Sequence, residues 1–375
     1  MNSRRFQIAS FLIISSLYLT VSSALAATPS PSLAKAKQEA EAKGFTFVSS
    51  RDEIIRNAKN EGKVTVLMSM SSSNFQPIID SFKKKYPFIK DVQIQEITGS
   101  DSFQSFLLGL KAGTIKDWDV GDAATDWYNE FPPYAMKLDL LGMANEKILR
   151  IDPRMIDPEH RTMVSIASTV ASAAYNKNLI AADKVPNTWE DFLKPELKGR
   201  KFAVNVRPLN MPSLIAGMGE EWGLNYARRT KDQDPIWGLG EARLMTSLAV
   251  GEIALFQITN YNSCARAAQK DRTKSIVCKV IEPVPVRLHE MEFVIKGAAH
   301  PYSALLFLEH QTSPEVQKII DEQEPLKSSI YANGEIAKLV KGKKTSIHDF
   351  KTYQHTAKWV EMVVEAYGFP RAQIK

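Results

Sequence analysis

Two short polar stretches carry the residues best placed for chemistry, Ser69-Met70-Ser71-Ser72-Ser73-Asn74 and Thr98-Gly99-Ser100-Asp101. Each follows an apolar run and precedes a helical stripe. Small hydroxyls at such positions commonly cap the helix. With the free N–H groups and partial positive charge of a helix start, they can also hold an anionic or strongly polar small molecule. A third stretch of this kind, Gly121-Asp122-Ala123-Ala124-Thr125-Asp126, leads into Trp127. In the second half, Arg207-Pro208-Leu209-Asn210 and Thr259-Asn260-Tyr261-Asn262 hold similar places. An arginine there can clamp a carboxylate or phosphate. A tyrosine can hydrogen-bond a ligand or stack on it.

Residues of the kind that catalyse are not grouped. The chain has no Gly-x-Ser-x-Gly elbow, no His-Glu-x-x-His and no Gly-Lys-Ser/Thr phosphate loop. His160, His289, His300, His310, His348 and His355 are scattered, and each reads as structural or surface. No His, Cys or carboxylate cluster has metal-ligand spacing. No catalytic site, metal site or cofactor is expected.

The elements that position these stretches follow from periodicity. Val64-Thr65-Val66-Leu67-Met68 is β-branched and apolar, a buried strand. Phe75, Ile78, Ile79, Phe82 and Tyr86 then recur at helical spacing, and Pro87 ends the helix. The pattern repeats at Val92-Gln93-Ile94-Gln95-Glu96-Ile97, with Phe103, Phe106, Leu107 and Leu110 on the following helix. Parallel strands joined by a helix form a right-handed βαβ unit. Ligands of open α/β sheets bind at the carboxyl ends of such strands. Further on, the spacing predicts helix over 134–149 and over 214–230, the latter with a glycine-rich middle. It predicts a long strand over 162–175, a return crossing over 274–286, a separate strand over 291–295 and a helix from about 352.

With 375 residues, 44% hydrophobic and 24% charged, the chain is an ordinary globular one of about two domains. Arg4-Arg5, the apolar run 8–19 and Ala24-Leu25-Ala26 read as a cleaved secretory signal, residues 1–26. No cysteine follows the cleavage point, so a periplasmic protein without a lipid anchor is expected. Losing the two leader arginines lowers the net charge from +6 to +4, and the basic residues show no nucleic-acid footprint. Cys264 and Cys278 are the only cysteines. In an exported protein such a pair reads as a disulfide.

Several motifs stand in a telling order. Glu61-Gly62-Lys63-Val64-Thr65-Val66 opens it, with a helix ending Phe82-Lys83-Lys84-Lys85-Tyr86-Pro87. Ala174-Tyr175-Asn176-Lys177 and Val185-Pro186-Asn187-Thr188-Trp189-Glu190-Asp191-Phe192 follow. Leu197-Lys198-Gly199-Arg200 and Thr312-Ser313-Pro314-Glu315-Val316-Gln317 complete it. The chain thereby resembles the extracellular solute-binding proteins of ABC importers, in the branch that includes ferric-iron-binding proteins.

That resemblance implies an α/β, two-lobed periplasmic-binding-protein fold, each lobe a mostly parallel sheet flanked by helices. It implies hinge closure on a ligand and delivery to a membrane permease, without catalysis. Lobe one would be 50–163 and 288–344, and lobe two 174–278. Hinge crossings would lie at 164–173 and 279–287, with extensions at 27–49 and 345–375. Family loop positions assign the ligand to Ser69, Ser71, Ser72, Gly99, Ser100, Thr125 and Trp127 of lobe one. Arg207, Asn210 and Tyr261 would come from lobe two. The ferric branch uses adjacent tyrosines, often with a histidine or carboxylate. Here a single Tyr261 stands between Asn260 and Asn262, and the first loop holds neither His nor Glu. A small polar or anionic ligand is therefore expected ahead of ferric iron or an iron chelate. An exported enzyme or a sensor on the same fold are the other readings. A monomer is expected.

Overall fold

The structure is a computed structural model that describes residues 30–369. The secretory signal expected at 1–26 lies outside the described residues, as do 370–375. The first third of the chain runs α1 (Pro31–Ala42), α2 (Arg51–Glu61), β1 (Lys63–Met68), α3 (Phe75–Lys85), β2 (Asp91–Glu96), α4 (Ser100–Ala112), β3 (Val120–Ala123) and α5 (Leu140–Asn145). The long strand β4 (Met163–Asn176) leads to β5 (Ala203–Asn205), α6 (Met211–Met218), α7 (Glu220–Asp232), β6 (Ile236–Gly238), α8 (Glu241–Ala249), β7 (Leu255–Asn260), α9 (Tyr261–Lys270) and β8 (Ile276–Lys279). The return strand β9 (Val284–Val294) is followed by α10 (Pro301–Gln311), α11 (Pro314–Gln323), α12 (Glu335–Val340), β10 (Thr345–His348) and α13 (Thr356–Ala366).

The strands lie in the order β2-β1-β3-β9-β4-β7-β5-β6, with β10 beside β9 and β8 beside β4. β1 pairs parallel with β2 from Lys63↔Asp91 to Met68↔Glu96. β5 pairs parallel with both β6 and β7. These are the parallel parts of two lobes. β4 and β9 run antiparallel from Met163↔Phe293 to Val170↔Val286, and β4 goes on to pair with β7 and β8 of the second sheet. The two lobes are therefore hydrogen-bonded into one ribbon through the crossing.

Alternation along β1 explains how a lobe buries both faces of its sheet. Val64, Val66 and Met68 enter one core with Ile78, Phe82 and Leu305. Leu67 points the other way, to Phe106, Phe131 and Phe293. Lobe two has its own core around Trp189, Phe192, Phe202 and Leu214, and a second layer with Leu244, Phe256 and Cys264. Cys264 and Cys278 are joined in a disulfide, their Cα atoms 5.9 Å apart, tying α9 to β8.

Several elements differ from their sequence reading. The expected helix 134–149 is reduced to α5, because Asp139 Oδ1 accepts from Gly142 N–H at 2.8 Å and starts the helix at Leu140. The chain before it is drawn out by bridges Thr46↔Leu138 and Ala135↔Ile295. The expected helix 214–230 is broken into α6 and α7 at Gly219, whose φ of +94° is one that glycine tolerates. The return crossing expected at 274–286 is divided between β8 and the start of β9, and the strand expected at 291–295 is the far end of β9.

The two terminal extensions are parts of the lobes. Phe47 and Val48 sit in the core of lobe one. Trp359, Val363 and Tyr367 of α13 sit in that of lobe two. The last segment also touches lobe one, where Tyr353 Oη donates to Leu288 O at 2.7 Å.

Candidate functional site

A cavity of about 280 Å³ opens where the carboxyl ends of β1, β2 and β3 meet the crossing strand β9. β1 delivers Ser69, which lines it. The loop after β2 delivers Thr98, Gly99 and Ser100. Gly99 is the N-cap of α4 with φ +79°, and no side chain caps that helix. Its first-turn N–H groups are thus open beside the cavity. Thr125, Asp126 and Trp127 come from the turn after β3. Leu209 is contributed by lobe two.

Of the expected ligand residues, Ser69, Gly99, Ser100, Thr125 and Trp127 are brought together here. The others lie elsewhere. Ser71 N–H donates to Glu324 Oε2 at 3.2 Å, and Ser72 begins the short turn Ser72–Asn74. Arg207 is exposed, and Asn210 is half-buried at the start of α6. Tyr261 is half-buried against the small apolar cluster of Val170, Val284 and Val286 at the crossing. Its hydroxyl makes no hydrogen bond among the described residues.

The cavity floor holds four residues that the sequence reading did not select: Asp122, Arg287, His289 and Glu290. Along β9, Val286 and Leu288 are buried while Arg287 and His289 are half-buried. That alternation was visible in the sequence and marks a strand with one polar face.

Arg287 is the distinctive group. Its guanidinium makes no hydrogen bond and no ion pair with any described residue. A half-buried, unpaired guanidinium at a cavity floor is an anion receptor in waiting.

The buried acids beside it are engaged with other groups. Ser69 N–H donates to Asp122 Oδ2 at 2.9 Å, and Ser69 Oγ bridges Asp122 Oδ2, at 2.5 Å, and Glu290 Oε2. Burial pushes the Asp122 carboxyl well above the usual range, and the negative charge of Glu290 adds to it. Burial alone would raise Glu290 too. Lys327, with Nζ 3.0 Å from Oε1, and the His289 ring outweigh that and hold Glu290 well below the usual range. Ser69 thus links the two carboxyl groups, whose affinities for a proton are driven in opposite directions. Burial pushes the Glu292 carboxyl up as well, with the nearby carboxyl of Asp122 adding to it. Glu290 is ion-paired with Lys327, while Arg287 has no ion-pair partner among the described residues. His289 is pushed down by burial, then by Lys327 and Arg287, so its ring is neutral near pH 7.

Glu290 also has an unusual backbone. Its φ is +53°, the left-handed region, in the middle of a strand. A non-glycine residue there is strained and must be held by its surroundings. The bonds to Ser69, His289 and Lys327 do this where β9 passes from one lobe to the other.

Among the described residues, no three or more His, Cys, Asp and Glu side chains are grouped to hold a metal ion. No described helix is long and apolar enough to cross a membrane.

The family model for bacterial extracellular solute-binding proteins matches residues 129–356. The chain belongs to that family. Among curated proteins, none matches it. Several solved structures share the fold of this solute-binding protein. A Trichodesmium protein (IdiA, FutA), solved in complex with iron and citrate ligands, has 18% identity and a TM-score of 0.63, over 81% of this chain and 99% of that one. The apo ferric ion-binding protein A of Pasteurella haemolytica has 15% identity and a TM-score of 0.62, over 83% and 100%. An ABC transporter substrate-binding protein from Bradyrhizobium japonicum has 15% identity and a TM-score of 0.62, over 81% and 99%. The fold is thus the two-lobed one of periplasmic binding proteins. This solute-binding protein is a transport protein and not an enzyme, and its family works outside the cytoplasmic membrane.

Proposed function

We propose that the protein captures ferric iron, presented as the chelate of a small organic anion, between its lobes and hands it to the permease of an ABC importer. Arg287 carries the anion part of this reading. It is the unpaired cation at the cavity floor, beside the uncapped start of α4. The iron part is supported by likeness to proteins solved as ferric-binding, one of them with iron and citrate together. A chelate reconciles the two. Tyr261 can offer one hard phenolate, and the anion would fill the rest of the metal's coordination shell.

In this reading the lobes comprise 50–163 with 288–344, and 174–278. They turn about the crossings at 164–173 and 279–287. Ser69, Gly99, Ser100, Thr125, Arg287 and His289 hold the ligand from one side. Closure would bring the loop of Arg207 and Asn210, and Tyr261, toward it. Contacts from both lobes favour the closed state by differential affinity.

A second reading, a metal-free organic anion, is favoured by the absence of a grouped His and carboxylate set among the described residues. Calorimetric titration with ferric citrate, citrate alone and ferric nitrilotriacetate separates the two. Metal analysis of protein exported and purified without refolding complements it. Tight binding of ferric citrate, with weak binding of citrate, is expected. Equal binding of citrate alone would transfer the function to the second reading. No binding of any probe would remove the anion site.

A further inference from the structure

One wall of the cavity is apolar in a way that a small polyacid would leave unused. Phe103 of α4, Trp127 of the turn after β3 and Leu209 of lobe two all line it. Trp127 is half-buried, and its backbone leaves helical geometry at φ −122°, ψ 24°. Its ring stacks on no other ring, and its indole N–H donates to no described residue. The indole N–H groups of Trp189, Trp222 and Trp359 have partners, Pro283 O, Glu190 Oε1 and Glu220 Oε1; those of Trp118 and Trp237, like that of Trp127, have none among the described residues, but only Trp127 lines the cavity. Leu209 is 45% exposed at the mouth, a large apolar side chain with nothing on it.

We propose that the anion has a planar aromatic body, a single-ring aromatic acid such as a dihydroxybenzoate. This deepens the anion reading above and rests on it. The ring would lie between Trp127 with Phe103 and Leu209, where offset or edge contacts with aromatic faces are favourable. Its carboxylate would meet Arg287 and the open N–H groups of α4. Adjacent ring hydroxyls would leave two hard oxygens for a ferric ion. A volume of about 280 Å³ is at the small end for ligand sites. It suits one ring with its acid groups and excludes chelators built from several rings.

The test is titration calorimetry on the purified full chain with ferric dihydroxybenzoate, ferric citrate and metal-free dihydroxybenzoate. The aromatic chelate is expected to bind about tenfold tighter than ferric citrate. Trp127→Leu should erase that ratio by weakening the aromatic chelate about tenfold more than ferric citrate, and Trp127→Phe should restore most of it. Leu209→Ser, at an exposed site, gives a second variant that keeps the fold and should shrink the ratio. Equal or tighter binding of citrate overturns the aromatic class while leaving the anion site in place. Equal binding of the metal-free aromatic acid supports the ring and removes iron. Failure of all three probes overturns the anion reading itself.

Discussion

Replacing Arg287 by methionine separates a ligand-holding arginine from a structural one. The side chain has no hydrogen-bond or ion-pair partner among the described residues, so the fold loses no interaction with it. Methionine keeps much of the apolar stem that a half-buried arginine packs. The variant should unfold at the same temperature as the parent or slightly higher, because an unpaired, partly desolvated charge is removed. Affinity should behave differently. A charge-assisted hydrogen bond contributes about 1.5–3 kcal/mol, so losing it should weaken anion binding roughly ten- to 150-fold. Parent affinity should also fall with added salt, and that dependence should flatten in the variant. Calorimetric titration with ferric citrate, beside thermal unfolding without ligand, reads both quantities. Unchanged affinity in a folded variant would refute the placement of the anion on Arg287. A large loss of stability would refute the claim that the guanidinium is unpaired.

Three further outcomes follow from the same geometry. Glu290→Ala leaves Lys327 buried and unpaired and should cost about 3–5 kcal/mol in urea unfolding. Glu290→Gly should cost about 1 kcal/mol less, since glycine accepts the +53° backbone; equal losses would show that the strain is not real. His310 and His348 are pushed down, chiefly by burial, to about 4 and about 3. The unfolded chain then binds protons that the fold refuses, so stability is full above pH 6.5 and falls as pH drops toward those values, by about 3 kcal/mol for His310 and about 5 kcal/mol for His348. Raised Asp122 and Glu292 act with the opposite sign above about pH 4. The histidine share is therefore read as the difference between parent and His348→Gln in urea unfolding at pH 7 and 4.5, and parallel slopes would count against it. Reducing the Cys264–Cys278 bond, which closes a separation of 14 residues, should cost about 3 kcal/mol. Identical unfolding with and without reductant would show that the bond is not formed.

Local order was legible in the sequence wherever one period ruled. The apolar spacing of β1 and α3 states strand, loop and helix, and Ser69 and Gly99 fall at the strand ends as that pattern requires. The cavity floor was not legible, because it is made by register. Asp122 comes opposite Glu292 only when β3 pairs antiparallel with β9, about 170 residues along the chain. Ser71 and Ser72 were weighed equally with Ser69, yet two residues along the loop the chain has turned to Glu324. The single tyrosine of the lobe-two loop was visible, but its packing at the crossing depends on Val170 and Val286, far away in sequence. Arg287 and His289 were not selected because they fall between the crossing read over 274–286 and the strand read over 291–295, so the single strand that carries both was not legible.

The strand order also dictates when the protein can fold. β1, β2 and β3 are all present once residue 123 has been made, yet β3 has a bare edge until β9 arrives between it and β4. Lobe one is thus unfinished through the synthesis of the whole of lobe two. Its defining contacts are among the most distant in the chain, which makes their formation slow. The strand that completes this sheet, β9, is also the one that brings Arg287 and Glu290 to the cavity, so finishing the lobe and furnishing the site are one event.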